Sequence, residues 1–286
     1  MNRRFVSMLL MGLLGAGCAV PAAVPEDAVS RVTALLPADA ILLGEQHDAP
    51  EHQRIHREVI DALAARGALA AVALEMAPIG GSTSGLPRDA AESAVQAALQ
   101  WKDAAWPWAA YGPAVMAAVR SGIPVLGANL PRTAMRSAMA ESQLDALLPG
   151  PALKAQQQAI RLGHCELLPE SQIAPMTRIQ IARDRTMAQT LTTLASPGKT
   201  VVLLAGARHV DRQLGVPLHL PAALRTKVVL LRAGPPPDDT RSIGEVGDAT
   251  WATPAVPPKD YCAEMRLARP ASESPADSGP DRPQRN

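Results

Sequence analysis

The segment Ala40-Ile41-Leu42-Leu43-Gly44-Glu45-Gln46-His47 decides the fold, because an apolar run passes directly into polar residues. A short, continuous apolar run is typical of a strand that is covered on both faces of a parallel sheet. Helical segments separate this run from later ones, which predicts a three-layer α/β fold: a mainly parallel sheet flanked by helices. The predicted strands are 40–44, 68–75, 123–129, 200–206 and 227–232.

The helical segments lie between these runs, and the first of them follows a capping signal. Asp48 and Glu51 fit a variant of the capping box ahead of that helix. The excess of helix over residues 132–195 indicates a helical insertion that lies over the sheet, as a lid or a small subdomain. The predicted helices are 50–66, 89–101, 109–121, 132–148, 152–162 and 172–195.

Composition along the chain divides it into four parts. Residues 1–18 are predicted to be an export signal, and 26–235 the α/β domain. Residues 236–267 are predicted to be an irregular extension. Residues 268–286 are rich in Pro, Ser and charge, with almost no apolar content, which predicts a disordered tail.

The N-terminal segment is typical of an exported lipoprotein. Two arginines precede an apolar run over residues 5–14 that is too short to span a bilayer, and small residues lead into Cys18. This pattern resembles a lipobox, although Gly15 stands where such motifs usually carry Leu. We therefore expect lipidation of Cys18 and anchoring at the outer membrane, facing the periplasm or the cell surface. Ordinary signal cleavage, giving a soluble periplasmic protein, is the alternative.

Charge and cysteine content limit the classes of partner. A formal net charge of +1 over 286 residues gives no basic stripe for phosphates, so a nucleic-acid partner is not expected. Cys165 and Cys262 could pair in an exported protein, but nothing in the sequence says that they meet. No CxxCH motif is present, so covalent haem attachment is not expected.

Polar residues stand where the predicted strands end. Glu45 and His47 follow the first strand, Glu75 ends the second, Asn129 ends the third and His209 follows the fourth. Ligands of open α/β sheets bind at the carboxyl ends of the strands. Two histidines and two carboxylates are therefore predicted to converge in a pocket suited to metal binding or to acid–base chemistry.

Three other histidines have two interpretations each. His52 and His56 have the i, i+4 spacing of paired metal ligands, but the segment lacks the Glu of the zincin motif. They could instead line the pocket or lie at the edge of the core. His164, in the helical insertion, could be a ligand on a movable element or an ordinary surface residue.

A tryptophan-rich segment holds four of the chain's seven aromatic residues: Trp101, Trp106, Trp108 and Tyr111. Such a cluster could form a flat apolar wall for a ring-shaped ligand, with Tyr111 as an oxygen ligand. It could equally be a packed turn between two helices.

Several sequence blocks, taken in order, resemble the ChaN-like haem-binding uptake family of the Tiki superfamily. They span residues 40 to 220 approximately, and together they are specific to that family although none is specific alone. They include Leu42–Asp48 with His52, Glu75-Met76, Trp101-Lys102, Trp108 with Tyr111-x-Pro113, Ala128-Asn129, His164-Cys165, Arg183-Asp184, Leu204–His209 and Gly215-Val216-Pro217.

This resemblance implies a domain that binds haem non-covalently at the outer membrane in haem and iron uptake. An outer-membrane haem receptor and a second copy of the chain are the implied protein partners. The axial ligand would be His209, His164 or Tyr111, and the tryptophan cluster, including Trp108, would cover the porphyrin.

The wider superfamily implies an alternative, because the Tiki and TraB proteins are regarded as metal-dependent hydrolases with two G-x-x-H motifs. Residues 44–47 and 206–209 match both motifs. A divalent metal would then be held by His47, Glu75 and His209. Catalytic acid–base chemistry would use the same three residues together with Glu45.

Overall fold

The computed structural model describes residues 28–235 and 247–268. The predicted export signal, the lipidation site Cys18 and the predicted tail from residue 269 lie outside the described residues. The same holds for residues 236–246 of the predicted extension.

Six parallel strands form one sheet in the order β3-β2-β4-β1-β5-β6. The central strands β1 and β4 are buried along their whole length, which explains their unbroken apolar runs. The five predicted strands and the mainly parallel sheet are confirmed. The strands are β1 Ala40–Glu45, β2 Leu69–Pro78, β3 Val125–Asn129, β4 Thr200–Gly206, β5 Thr226–Ala233 and β6 Ala249–Thr253.

The sixth strand corrects the prediction of an irregular extension over residues 236–267. Strand β6 pairs with β5 at the edge of the sheet, and a short helix follows it. Only Trp251 of this strand is buried. An edge strand with a single buried residue has no continuous apolar run, so the pattern that reveals buried strands is missing here.

Eight helices and three 3-10 turns surround the sheet in the described residues. The predicted helix over 132–148 is interrupted at Glu141, whose backbone leaves the helical region (φ −82°, ψ 86°). The helices are α1 Ala28–Ala34, α2 Pro50–Ala65, α3 Glu92–Ala98, α4 Trp108–Arg120, α5 Met135–Ala140, α6 Gly150–Gly163, α7 Glu170–Leu194 and α8 Tyr261–Ala268. The 3-10 turns are Arg132–Ala134, Ser142–Leu147 and Val216–His219. None of these helices is long and apolar enough to cross a membrane.

The start of α2 differs from the predicted capping box. Ala49 is the N-cap residue and makes no side-chain capping bond, and Pro50 occupies the first turn. Proline is favoured there because its missing N–H would have no helical partner. The Asp48 carboxylate instead accepts hydrogen bonds from Gln46 and Tyr261. The capping-box prediction was therefore wrong, because the Asp48 carboxylate accepts these hydrogen bonds and does not cap α2.

Two hydrophobic cores lie on opposite faces of the sheet. Ile41 and Leu43 of β1 join the larger core with residues of α1, α2 and α4. Leu42, between them, joins the second core, which includes Met187 and Leu191 of α7. This alternation follows from the two-residue period of a strand. A third, smaller cluster lies within the predicted helical insertion and includes residues of α7.

A disulfide joins Cys165, in the turn after α6, to Cys262 of α8, with the two Cα atoms 5.4 Å apart. The sequence left this pairing open. The bond links the helical insertion to the C-terminal helix across 97 residues of sequence.

Candidate functional site

A cavity of about 1090 Å³ lies at the carboxyl end of the sheet. Parallel strands bring their carboxyl ends to the same edge, so side chains distant in sequence meet there. The cavity is lined by five of the predicted site residues: Glu45, His47, Glu75, Tyr111 and His209. The predicted convergence of two histidines and two carboxylates therefore holds in the structure.

His47 is paired with the carboxylate of Glu45. The His47 Nδ1–H donates to Glu45 Oε1 over 2.6 Å, and the Tyr111 hydroxyl donates to the same oxygen over 2.6 Å. Gln53 donates to the other Glu45 oxygen over 2.7 Å. The Glu45 side chain is fully buried, whereas 42% of the His47 side chain is exposed. In the neutral ring, Nε2 therefore keeps its lone pair, and a carboxylate behind a histidine fixes the ring in this way.

The charges around this pair decide how it ionises. Burial alone would lower the pKa of His47, but the hydrogen bond to Glu45 and the charges of Glu75 and Glu45 outweigh it, so the pKa is raised. Burial would raise the pKa of Glu45, but the hydrogen bond with His47 and the charge of His56 lower it. Burial and the adjacent Glu45 raise the pKa of Tyr111, so its hydroxyl stays protonated.

His209 is enclosed between two carboxylates. Its Nδ1 lies 2.5 Å from Asp184 Oδ1, and its Nε2 lies 3.2 Å from Glu75 Oε1. The other oxygen of Glu75 accepts the Gly206 N–H over 2.7 Å. Carboxylates accept hydrogen bonds, so both ring nitrogens of His209 face acceptors.

This enclosure favours the imidazolium form of His209. Burial would lower the pKa of His209, but the charges of Glu75 and Asp184 raise it to about 10. Burial raises the pKa of Asp184 to about 6, whereas the charge of His209 overcomes burial to lower the pKa of Glu75. At neutral pH both His209 nitrogens carry protons, which leaves no lone pair for iron or another metal.

Two predicted haem-binding residues do not line the cavity. His164 ends α6, and its Nδ1–H donates to the Ile160 carbonyl over 2.8 Å. Trp108 is buried, and its Nε1–H donates to Glu92 over 2.7 Å. The structure therefore does not bring His164 and Trp108 together with His47, Glu75 and His209.

The tryptophan cluster is mainly a packed turn. Trp101 lies edge-on to Trp108, with ring centroids 5.1 Å apart, and both rings are largely buried. Trp106 and Tyr111 also line the cavity, and the centroid of the Trp106 ring lies 4.8 Å from that of the His47 ring. Of the two interpretations of this segment, packing describes all four residues, and Trp106 and Tyr111 also face the cavity.

His52 and His56 lie behind the cavity rather than in it. The backbone N–H of Gln46 donates to His52 Nδ1 over 2.9 Å, and His52 Nε2 lies 3.1 Å from the Thr253 hydroxyl. His56 is fully buried, 3.6 Å from Glu45 Oε2, and burial lowers its pKa to about 4. The i, i+4 spacing therefore places both histidine side chains in the packing around Glu45.

The predicted metal ligands do not form a metal centre in this structure. Across residues 28–235 and 247–268, no group of three or more His, Cys, Asp or Glu side chains has the arrangement to hold a metal ion. The physical reason at this site is that the nitrogens of His209 already face Glu75 and Asp184.

Sequence reasoning missed several residues of the site. Asp184 is not among the site residues predicted from the strand ends, although the Arg183-Asp184 block of the family resemblance was a usable signal. Arg232, Lys259 and Tyr261 also line the cavity. They come from the end of β5 and from the C-terminal segment, where no motif indicated a site.

The fold and site define a class: an α/β protein with a His- and Glu-lined ligand cavity at the carboxyl end of a parallel sheet. The family model described as haem-binding uptake, Tiki superfamily, ChaN matches residues 31–220. The chain belongs to this family, as its sequence blocks predicted. The comparison with curated proteins gives no match.

The chain is similar to several solved structures, one of which is a ChaN protein. ChaN of Campylobacter jejuni, described by its cofacial haem binding, is 29% identical, with a TM-score of 0.59 over 72% of this chain and 86% of its own. The type III effector HopBA1 is 14% identical, with a TM-score of 0.44 over 81% of this chain and 95% of its own. The erythromycin esterase EreC is 14% identical, with a TM-score of 0.39 over 69% of this chain and 70% of its own.

Proposed function

We propose that this protein binds haem non-covalently in the cavity at the carboxyl end of the sheet, with His47 as the iron ligand. The carrying observation is the hydrogen bond from His47 Nδ1–H to the buried Glu45 carboxylate, which leaves the Nε2 lone pair unused on a side chain that is 42% exposed. A histidine held through one ring nitrogen, with the other free, is the usual arrangement for metal ligation. Family membership supports haem as the ligand.

The cavity suits a flat molecule that is apolar over its faces and acidic at one edge. Trp106, Leu230 and Leu231 give apolar lining. Arg208, Arg232 and Lys259 add cationic groups to the lining, and such groups pair with carboxylates. Bound haem would supply an iron centre, while this chain would supply the histidine, the apolar surface and the cations.

The other predicted axial ligands are less suited to the role. His209 has protons on both nitrogens at neutral pH, as argued above. The Tyr111 hydroxyl donates to Glu45 and would have to give up that bond. His164 does not line the cavity, so iron bound there would lie at a different site.

The test is a haemin titration followed by absorption spectroscopy. We expect a saturable, equimolar Soret shift for the purified protein, and its loss in His47→Ala. His164→Ala is the matched control, since it removes a histidine outside the cavity and should leave the shift unchanged. Loss of the shift in Tyr111→Phe with retention in His47→Ala would contradict His47 as the ligand. No saturable shift in the unsubstituted protein would refute haem binding.

Export and membrane anchoring form a further part of this proposal. The N-terminal pattern ending at Cys18 supports lipidation and a role in haem and iron uptake at the outer membrane. A haem receptor and a second copy of the chain are the proposed protein partners. Metabolic labelling with a fatty acid should mark the full-length protein and not Cys18→Ala. Equal labelling of both would exclude this site.

One observation favours a second candidate, hydrolysis. A histidine with a carboxylate behind it and a free Nε2 is also the arrangement of a general base, so Glu45 and His47 could activate water without a metal. An ester panel assayed against His47→Ala would test this. Turnover that is lost in that variant supports hydrolysis, and turnover equal in both forms excludes His47 as the base.

A further inference from the structure

The C-terminal part of the structure forms one side of the cavity. We call residues 254–268, which follow β6 and include α8, the strap. Lys259 and Tyr261 of the strap line the cavity. The family model ends at residue 220, so the strap lies outside the matched span.

Among residues 28–235 and 247–268, few non-covalent contacts hold the strap in place. None of residues 254–267 is buried. The Tyr261 hydroxyl donates to Asp48 at an exposed position. The ion pair of Lys259 with Glu264, at 3.2 Å, and the stacking of Lys259 over Tyr261 are internal to the strap. Segments with little buried surface separate from a fold at low free-energy cost.

The disulfide joins the strap covalently to the rest of the fold. Cys262 in α8 is joined to Cys165, which follows α6 in a turn where Cys165 and Glu166 have φ values of 57° and 59°. Helix α6 packs on α7, and α7 carries the cavity residue Gln180 and the His209 partner Asp184. Both cysteines are partly exposed, so a small thiol can reach the bond.

We infer that the Cys165–Cys262 disulfide is a redox-controlled latch that holds the strap against the cavity and slows exit of the ligand. The identity of the ligand rests on the proposed haem function, whereas the latch itself rests on the strap geometry. While the bond is closed, the strap stays at a high effective concentration beside the cavity, on the order of millimolar or more. Once the bond opens, the exposed Asp48–Tyr261 contact is the hydrogen bond that remains between the strap and the cavity residues described.

The opening step needs a dithiol reductant and balances as thiol–disulfide exchange. A thiolate of the reductant attacks one cysteine sulfur and forms a mixed disulfide, and the other cysteine leaves as a thiolate and takes up a proton. The second thiolate of the reductant then attacks the reductant sulfur of the mixed disulfide, so that the remaining protein cysteine leaves as a thiolate and takes up a proton. Cys165 and Cys262 end as two thiols, and the reductant ends as its own disulfide.

The test compares the oxidised protein with the double variant Cys165→Ser/Cys262→Ser, which avoids any reaction of a reductant with haem iron. We expect faster hydrogen exchange over residues 254–268 in the variant. We also expect haemin transfer to excess apomyoglobin to be on the order of tenfold faster, because changes at an interface act mostly on dissociation rates. Circular dichroism checks that the variant is folded.

Leu267→Ala is the matched control, because Leu267 lies on α8 of the strap, does not line the cavity, is 86% exposed, and its replacement keeps the disulfide. Its haemin transfer rate should stay within about twofold of that of the unsubstituted protein, because substitution of an exposed side chain changes the free energy of a fold little. Unchanged strap exchange in the double variant would overturn the latch. Faster exchange with an unchanged haemin transfer rate would overturn its control of the cavity.

If no form binds haemin, the proposed haem function fails. The latch is then tested by the accessibility of the cavity to a reagent, with no ligand bound. The readout is modification of His47 by diethyl pyrocarbonate, followed by peptide mass spectrometry. Faster modification in the double variant than in the disulfide-bonded protein supports the latch. Equal rates overturn it.

Discussion

His47 and His209 follow neighbouring strands of the sheet, and their partners give them different chemistry. His47 has one carboxylate, Glu45, behind its Nδ1. His209 has a carboxylate at each ring nitrogen, from Glu75 and Asp184. The first ring can present a lone pair to a ligand, whereas the second is a buried cation that joins β2, β4 and α7.

Haemin affinity should weaken as the pH falls, because His47 must lose a proton to bind iron. The pKa of His47 is raised above its ordinary value of 6.5, so the weakening of haemin binding should begin above pH 6.5. The measurement is the haemin dissociation constant from mildly acidic to mildly alkaline pH. His164→Ala is the control and should keep this dependence, since His164 does not line the cavity. A flat profile in the unsubstituted protein would contradict ligation through His47.

Gly206→Ala should disturb His47 without removing a polar group. An added Cβ would come within 2.8 Å of His47 Nε2, which forces the ring to move. We expect haemin affinity to fall on the order of tenfold, as expected for a misplaced binding group. Gly150→Ala is the matched control, since its Cβ would meet no atom within 4 Å. Equal haemin titrations for both variants would count against His47 as a ligand.

Stability should decline at alkaline pH through His209. Its pKa is raised from 6.5 to about 10, so its contribution is complete below pH 6.5 and is lost as the pH rises through about 10. Asp184→Asn should flatten this decline and lower the unfolding free energy by about 1–3 kcal/mol at neutral pH. Urea denaturation across pH measures both effects. An unchanged alkaline slope in Asp184→Asn would contradict the pairing.

At the scale of elements, an arginine fork fixes the first part of the helical insertion, residues 132–148, to α7. Arg178 donates to both carboxylate oxygens of Asp145, at 3.0 Å and 2.7 Å, and to the Met139 carbonyl at 3.1 Å. The 3-10 turn containing Asp145 and the end of α5 are thereby held on the longest described helix. The planar guanidinium makes these bonds together, which a single ammonium cannot do.

Arg178→Lys should therefore destabilise the insertion although it keeps the charge. We expect a loss of about 1–2 kcal/mol of unfolding free energy, the worth of a charge-assisted bond. Arg54→Lys is the matched control, because Arg54 pairs with Glu51 and Glu58 on the exposed surface of α2. It should cost less than about 0.5 kcal/mol. Equal losses would show that the fork has no special role.

At the scale of the whole molecule, the sheet, the insertion and the C-terminal segment close around one cavity. The sheet carries a core on each face, and the carboxyl ends of β1, β2 and β4 supply the site. The disulfide is the long-range covalent link among the described residues, across 97 residues of sequence. A cross-link of that span restricts the unfolded chain.

The double variant Cys165→Ser/Cys262→Ser should therefore have a lower unfolding free energy, by about 2–4 kcal/mol. Chemical denaturation of the oxidised protein and of the variant measures the difference. Disulfide reduction of the unsubstituted protein should reproduce the value of the variant. A larger loss in the variant than in the reduced protein would mean that the serines, and not the missing bond, cause part of it.

The sequence by itself determined the parallel sheet and the residues at its carboxyl end. Buried parallel strands need continuous apolar runs, and the polar residues that end those runs must face the same edge. Glu45, His47, Glu75 and His209 could therefore be predicted to meet. The edge strand β6 could not, because one buried residue leaves no pattern in the sequence.

Only the tertiary structure decided the chemical state of each site residue. Asp184 lies on α7, 25 residues before His209 in the sequence, and contacts it in the fold. That contact turns a predicted metal ligand into a buried cation. Cys165 and Cys262 meet for the same reason, since pairing depends on how α6 and α8 pack. A side chain's pKa and free lone pairs depend on neighbours in space, and local sequence pattern does not specify those neighbours.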